Sequence, residues 1–571
     1  MNYKYYPDRP AVLTAEYVRS EYEKLRERIA SAEQAETDQE WLQLYADWNA
    51  LKAYVGSERS RISYAYSKNL NDKALEERDR YMRQEVMPVA SNAEFAITEA
   101  LLASTHRGAI GGEFNTYLMT NYDVGADTIA PINSELRVKE GDLVQQYSKI
   151  IASAEVTING ETMTFAKAAD FLTSDDRSMR EQVFRLLRQW VVDRRDQFGT
   201  IFNELVALRH QMGKNLGHEN YTTLGYQGMG RTDYGPEDVA RFRESVRRYA
   251  VPIQNAIYER QAHELGAGTL KPWDAPYDPS ITLPGNIVPV DTQLEKAQRV
   301  FDALSPTLGT HFSTMRDGGW IDLENRPGKR AGAFCTSFPD EGHPAILCNS
   351  TGDSEDVRTL VHEMGHAFQA WESIAEIDDV MLQWPTSDAC EIHSKGMEML
   401  SLRHMDEFFS PENAEKFRLG RWKQSIQSIC YICAVDEFQH WVYENPAATP
   451  DERESAWGEI WSLYRPSVDY SGMELYRDVI WYNQGHIFRT PFYYIDYAIA
   501  DTAAMQLALI DAEDHERAME IYMNLCRIGG TKSVLDIFSA AGLRSPFDPE
   551  LMRDLMAHAA REIGIDTMAI S

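Results

Sequence analysis

Thr359-Leu360-Val361-His362-Glu363-Met364-Gly365-His366-Ala367 is the stretch from which the rest of the chain is best read. It contains the pattern H-E-x-x-H. On an α-helix, positions i and i+4 lie about 40° apart, so His362 and His366 leave one face and can share a metal ion. Glu363 stands beside them, where its carboxylate can take a proton from metal-bound water. Upstream, Thr351-Gly352-Asp353-Ser354 offers capping side chains, and Val357, Leu360 and Val361 form an apolar face. The spacing therefore predicts a helix through the motif. By chance alone such a motif arises in a chain of this size with a probability on the order of a few per cent, so its weight rests on what surrounds it.

A zinc site needs a third protein ligand and an open position. Ser387-Asp388-Ala389-Cys390-Glu391-Ile392-His393-Ser394-Lys395-Gly396-Met397-Glu398 reads as a second helix. Glu391 and Glu398 are seven apart and share a face, so Glu391 can bind metal while Glu398 hydrogen-bonds a ligand imidazole. His393 is the competing ligand; two residues from Glu391, its side chain points away from that face.

Outward from these helices, the periodicity stays helical. Apolar residues recur at three and four positions over Ala15–Ala35, Gln39–Tyr66 and Lys73–His106, in one long run from Ser174 to Met212, and over Pro236–Leu265. Gly266 to Pro289 holds five prolines and reads as an ordered loop or joint. Helices follow near Asp291–Leu304 and His311–Arg316, and again from Asp353 to the end. Two strand pairs stand out: Val156–Thr164 around Asn159-Gly160, and Gly332–Ser337 with Ala345–Asn349. The fold expected is mainly α with one or two small β hairpins. The expected division is an N-terminal helical region at 1–130, a helical segment with a hairpin at 131–200, and a catalytic zinc domain at 201–571.

The bulk numbers set limits. With 57 basic and 88 acidic side chains, the 571-residue chain carries a formal charge of −31. A surface that acidic repels nucleic acid and anionic membranes, so neither is expected as a partner. No run of 18 apolar residues exists. Six cysteines do not form a disulfide framework at this length, and Met1 to Pro10 lacks an apolar core of signal-peptide type; the cytoplasm is the expected compartment. Cys430-Tyr431-Ile432-Cys433 lies in a helical stretch without a second pair and reads as buried thiols.

At several points the chain resembles the oligopeptidase F and thimet oligopeptidase family of zinc metallopeptidases, nearest the oligoendopeptidase F branch. The resemblance is carried by Gly328–Cys335, Pro344–Asn349, Thr359–Ala367, and the spacing on to Glu391, Ser394 and Glu398. His486-Ile487-Phe488-Arg489-Thr490-Pro491-Phe492-Tyr493-Tyr494-Ile495-Asp496-Tyr497 carries it further, with weaker similarity at Tyr221, Arg231, Asp233 and Tyr234. It implies a two-lobed helical metallopeptidase with a deep central channel, one zinc ion on His362, His366 and Glu391, and oligopeptide substrates cut internally. The chain departs from the thimet branch at Thr490-Pro491, where that branch has another tyrosine, which leaves open how Tyr493, Tyr494 and Tyr497 share contacts to the transition state.

The chemistry expected is peptide hydrolysis through a zinc-bound water. Zinc lowers the pKa of that water to about 7, and Glu363 acts as general base and then acid. His486 and Tyr497 would donate to the oxyanion, with Tyr494 on Tyr497's face and Tyr493 packing. The strand at Gly332–Ser337 would order an extended peptide along its edge, beside the close-approach loop Lys329–Gly332. An exopeptidase with a cationic anchor and a helical peptide-binding protein with a dead site are the competing readings.

Overall fold

The computed structural model describes residues 6–7, 9–34, 37–128 and 130–566. The chain divides into two compact units. The first comprises 1–126, 284–414 and 503–543, and the second 127–283, 415–502 and 544–571.

The N-terminal part of the first unit is helical at Ala15–Ala32, Gln39–Lys68, Lys73–Tyr81 and Met87–Ala103. The first begins at Thr14, whose hydroxyl caps Tyr17 N–H at 3.2 Å; Ala35, the expected end of that helix, lies outside the described residues. Between Tyr81 and Met87 one π turn intervenes, just before Pro88, which has no N–H to continue the α pattern. Trp41, Leu44, Tyr45, Trp48 and Leu51 of the second helix pack with Val18, Tyr22 and Val86 into one core, which also takes in Ile377 and Leu382.

The same unit holds a three-stranded sheet. His343–Ser350 is central, antiparallel to Phe334–Phe338 and parallel to Ile321–Glu324. The hairpin was expected; the third strand was not, because four residues alternating with Asp322 and Glu324 give no apolar run. Tyr64 covers one face beside Phe338, Ala345 and Leu347, and its hydroxyl donates to Ile346 O at 3.1 Å. Ser354–Glu376 packs on the sheet and on Ser387–Ser401, and His515–Ile528 packs on both helices.

In the second unit the expected hairpin is present at Glu155–Ile158 and Glu161–Thr164, antiparallel, with Asn159 and Gly160 at φ of 53° and 84° as a primed turn requires. The long helix expected from Ser174 to Met212 is two, Arg177–Val192 and Arg195–Asn215. The break falls at Asp193-Arg194, where Arg194 leaves helical geometry, stacks its guanidinium 4.1 Å over Trp190 and donates to Trp190 O at 3.2 Å. Cys430 and Cys433 are fully buried. Among the described residues no helix is long and apolar enough to cross a membrane.

Candidate metal centre

The H-E-x-x-H motif sits in the middle of Ser354–Glu376. That helix starts sharply because the Asp356 carboxylate accepts from the backbone N–H groups of Thr351, Gly352 and Asp353 at 2.7, 2.6 and 3.1 Å. The second helix, Ser387–Ser401, crosses it at Gly365. A Cβ on Gly365 would lie 2.6 Å from both His393 O and Ser394 Cα, so only glycine lets the backbones approach this closely. The hydroxyl of Tyr522 donates across the crossing, to His393 O at 3.1 Å and Gly365 O at 3.4 Å.

The crossing brings three donors together. Nε2 of His362 and Nε2 of His366 lie 3.6 and 3.8 Å from the same carboxylate oxygen, Oε2 of Glu391. Among the described residues this is the group of three His, Cys, Asp or Glu whose ligand atoms all fall within 4.8 Å of one another. Ligands about 2.1 Å from a tetrahedral zinc stand roughly 3.4 Å apart, close to these separations. Two imidazole nitrogens and a carboxylate oxygen facing one another beyond hydrogen-bonding reach form a donor set suited to a divalent cation.

Each donor is held from behind. The Nδ1–H of His362 donates to Glu398 Oε1 at 2.7 Å, and Arg358 stands 3.8 Å from that oxygen. Ser394 Oγ donates to Glu391 Oε2 at 2.8 Å. His366 Nδ1 lies 3.8 Å from Sγ of Cys390. The competing His393 turns away, its ring nitrogens each 3.2 Å from a backbone oxygen, of Cys390 and of Leu525.

From the protein's own groups, burial pushes the Glu363 carboxyl up to about 7; His362 opposes this and Glu391 adds to it. Burial works against a charged His362, but the carboxylates of Glu398, Glu391 and Glu363 together outweigh it and the pKa is raised. Burial and the neighbouring His362 hold His366 well below the usual value, which keeps it in the neutral form that binds metal.

The connection between the two helices is tied at several points. Asn49, fully buried, donates from Nδ2 to Asp378 O at 2.8 Å and accepts Val380 N–H on Oδ1 at 3.0 Å. Tyr45 donates to Asp379. Gln369 donates to Gln383 O at 2.7 Å, Gln383 to Ile377 O at 3.0 Å, and Gly530 N–H to Leu382 O at 2.7 Å. The Trp384 indole reaches Ser337 Oγ at 3.1 Å. None of these anchors stands out in the sequence. Asn49 and Gly530 are too distant in the chain to signal a partner, and Gln383 looks like any polar loop residue.

Beside the donor set is a cavity of about 380 Å³, lined by Gly332, Ala333, Asn349, Arg358, His362 and Glu363 among others. Asn349 Nδ2 holds its rim by donating to Arg330 O and Gly332 O, both at 2.7 Å. Phe334–Phe338 is an edge strand of the sheet. Lys329 is tied inward, its Nζ 2.8 Å from both Asp322 Oδ1 and Glu324 O.

His486, Tyr493, Tyr494 and Tyr497 form a cluster in the second unit. The His486 ring lies 5.6, 4.8 and 6.1 Å from the rings of Tyr493, Tyr494 and Tyr497. The hydroxyls of Tyr493 and Tyr497 are 3.1 Å apart. Gln484 Nε2 is 2.7 Å from His486 Nδ1, and the Tyr431 hydroxyl donates to Gln484 Oε1 at 2.7 Å. The aromatic run is not all helix: Ile495–Glu513 begins after Tyr494, so Tyr493 and Tyr494 sit in a turn and Tyr497 in the first helical turn. Phe492 holds that turn at a φ of 66°, with its N–H on Gln439 Oε1 at 2.8 Å and its carbonyl on Arg231, which also pairs with Asp496 at 2.6 Å.

The pattern described as Peptidase family M3 matches residues 171–557, and that described as Peptidase M3 N-terminal domain matches 12–129. The chain is 22% identical over 401 residues to an oligoendopeptidase F homolog of Borreliella burgdorferi, covering 68% of this chain and 65% of that one. It is 25% identical over 255 residues to the chromosomal oligoendopeptidase F of Lactococcus lactis subsp. cremoris, covering 44% and 42%. The match thus spans less than two thirds of the length of these relatives. Among solved structures, PZ peptidase A with inhibitor 2 superposes with a TM-score of 0.86 at 31% identity, covering 99% of both chains. A putative oligoendopeptidase F from Bacillus anthracis gives 0.81 at 29%, covering 98% of both.

Proposed function

Because the chain belongs to peptidase family M3, we propose that it is a zinc metalloendopeptidase that hydrolyses internal bonds of short oligopeptides, with His362, His366 and Glu391 as ligands and Glu363 as general base. The observation that carries the reading is the convergence of two Nε2 atoms on one Glu391 oxygen, with Glu363 next to His362 in the lining of the adjoining cavity. Cytoplasmic placement belongs to the same proposal and is supported by six cysteines that all stand as free thiols; peptides rather than nucleic acid or membranes as partners are supported by the charge of −31.

Zinc, when bound, supplies Lewis acidity that polarises the scissile carbonyl and acidifies water. The remaining work falls to side chains. Glu363 takes the nucleophile's proton on its carboxylate and returns it to the departing nitrogen; a buried carboxyl with a pKa near neutrality suits both steps. Glu398 and Ser394 hold His362 and Glu391 in register, which reduces the reorganisation needed during the reaction. The edge strand Phe334–Phe338 and the Gly332–Ala333 rim can pair with a peptide backbone, which orders a substrate without reading its side chains. His486 and Tyr497, with Tyr494, are proposed as donors to the oxyanion on the ground of the family resemblance and of their half-buried, hydroxyl-bearing cluster.

Digestion of one peptide with both ends blocked, followed by mass mapping of the products, tests the endopeptidase reading. Cuts away from both termini are expected. No cut in the blocked peptide, with dipeptides released from its counterpart bearing a free carboxyl terminus, would establish the exopeptidase instead.

A further inference from the structure

Four residues of Ser387–Ser401 face the donor set in one stripe: Cys390, Glu391, Ser394 and Glu398. The roles of three are evident, since Glu391 presents its oxygen, Ser394 holds that oxygen, and Glu398 holds His362. The fourth, Cys390, lies against His366. We infer that Cys390 is a positioning residue for His366, its sulfur accepting the Nδ1–H and fixing the ring so that Nε2 faces Glu391. This rests on the reading of His362, His366 and Glu391 as zinc ligands.

A metal-binding imidazole nearly always donates its other N–H to an acceptor, which sets both tautomer and ring orientation. For His362 that acceptor is the Glu398 carboxylate. For His366 the side-chain atom in reach is Sγ of Cys390 at 3.8 Å, within the range of contacts to sulfur. The two rings stand nearly perpendicular, at 86° with centroids 5.0 Å apart, so one partner cannot orient both. Charge favours a thiol here. Glu363, Glu391 and Glu398 already place three carboxylates around the donor set, and Arg358 is the cation paired with Glu398. A fourth carboxylate behind His366 would add like-charge repulsion, whereas a thiol offers a weak acceptor without a carboxylate's charge. The Gly365 crossing fixes the register at which Cys390 meets His366, since it seats Ser394 Cα against the motif helix one turn beyond Cys390.

The test is zinc affinity by competition with a chromogenic chelator, on the full chain and its Cys390→Ala, Cys390→Val and Cys390→Ser variants, together with the visible spectrum of each loaded with cobalt(II). Valine fills the space of the thiol but accepts nothing; serine restores an acceptor. Alanine and valine are expected to weaken zinc about tenfold or more and to shift the cobalt bands, while serine stays within about threefold of the parent. Parental affinity in Cys390→Val would assign the residue to packing and overturn the inference, as would a serine variant no better than valine. His362→Ala separates the two readings. If it retains parental affinity, the ligand assignment falls and the inference with it; if it loses zinc while Cys390→Val does not, the inference falls alone.

Discussion

Gly365→Ala probes the contact on which the metal centre depends. The added Cβ would sit 2.6 Å from His393 O and 2.6 Å from Ser394 Cα, both backbone atoms that no rotamer change can move. Restoring van der Waals contact at about 3.4 Å requires the helices to part by about 0.8 Å, and overpacking of this kind costs about 1–3 kcal/mol. The same shift stretches the Tyr522 hydroxyl bond to Gly365 O, already 3.4 Å. It also carries Glu391 Oε2 away from imidazole nitrogens now 3.6 and 3.8 Å distant, past the roughly 3.4 Å that ligands of one tetrahedral zinc require. A displaced ligand should lower zinc affinity by about 10–100-fold, the range seen when ligand support is lost. The assay is chelator competition at 25 °C, where circular dichroism verifies that the variant is folded, with thermal unfolding measured with and without zinc. Gly56→Ala is the control: it lies inside Gln39–Lys68 with nothing within 4 Å of the new Cβ, so it should leave zinc affinity unchanged and raise stability by about 0.5–1 kcal/mol. Gly365→Ala with parental zinc affinity and parental melting temperature would refute the argument that this crossing sets the site.

Other perturbations bear on the chemistry. Glu363→Gln should bind zinc and peptide as the parent does, yet lose about 10²–10⁴-fold in turnover; retention of a tenth of the activity would remove Glu363 from the base role. A chelator should abolish turnover and low zinc restore it, while Glu391→Ala should lose metal; full occupancy there would place the third ligand elsewhere. Tyr497→Phe should lower kcat by about 10²–10³ with KM nearly constant, and Tyr493→Phe should stay within a few-fold; the reverse pattern would move the donor to the residue 3.1 Å away. Asp436 is fully buried against Arg243 and His440; burial alone would raise its pKa, but those partners hold it down at about 2. Because the folded pKa is depressed, its contribution is present above the unfolded value of about 3.9 and is lost as pH falls through about 2. Asp436→Asn should lose about 3–5 kcal/mol at neutral pH by stranding Arg243, and should flatten stability between pH 4 and 2; an unchanged urea midpoint at pH 7 would show the pair to be dispensable.

What the sequence made legible was what is local. His362, Glu363 and His366 lie within about one turn of one helix, so their relation follows from the helical repeat. Glu391, Ser394 and Glu398 follow in the same way once the second helix is recognised. The primed turn at Asn159-Gly160 is likewise a local preference. Features set by distant partners were not legible. The break at Asp193-Arg194 interrupts no apolar period. The strand Ile321–Glu324 exists because His343–Ser350 pairs with it in parallel. Asn49 shows its use only when the 378–380 backbone, some 330 residues later, is laid against it. Cys390, a lone thiol beside a glutamate, carries no pattern of its own; its contact to His366 depends on how two helices cross.

The residues proposed for catalysis divide between the two compact units, and their supports divide with them. Cys390, Ser394 and Glu398 behind the metal donors, and Asn49 and Gly530 along the connecting segment, belong to the first unit. Gln484 and Tyr431 behind His486, and Arg231 and Gln439 around the aromatic turn, belong to the second. On the proposed roles, zinc affinity and transition-state stabilisation are expected to be separable quantities. Asn49→Ala removes two hydrogen bonds to the segment between His366 and Glu391, and its effect should appear in zinc affinity. Tyr497→Phe removes one hydroxyl from a cluster held by other residues than those that support the donor set, so its effect should appear in kcat with zinc affinity unchanged. A Tyr497→Phe variant that lost zinc would show that the second unit's aromatic turn is part of what holds the metal, and the division of labour drawn from these contacts would be wrong.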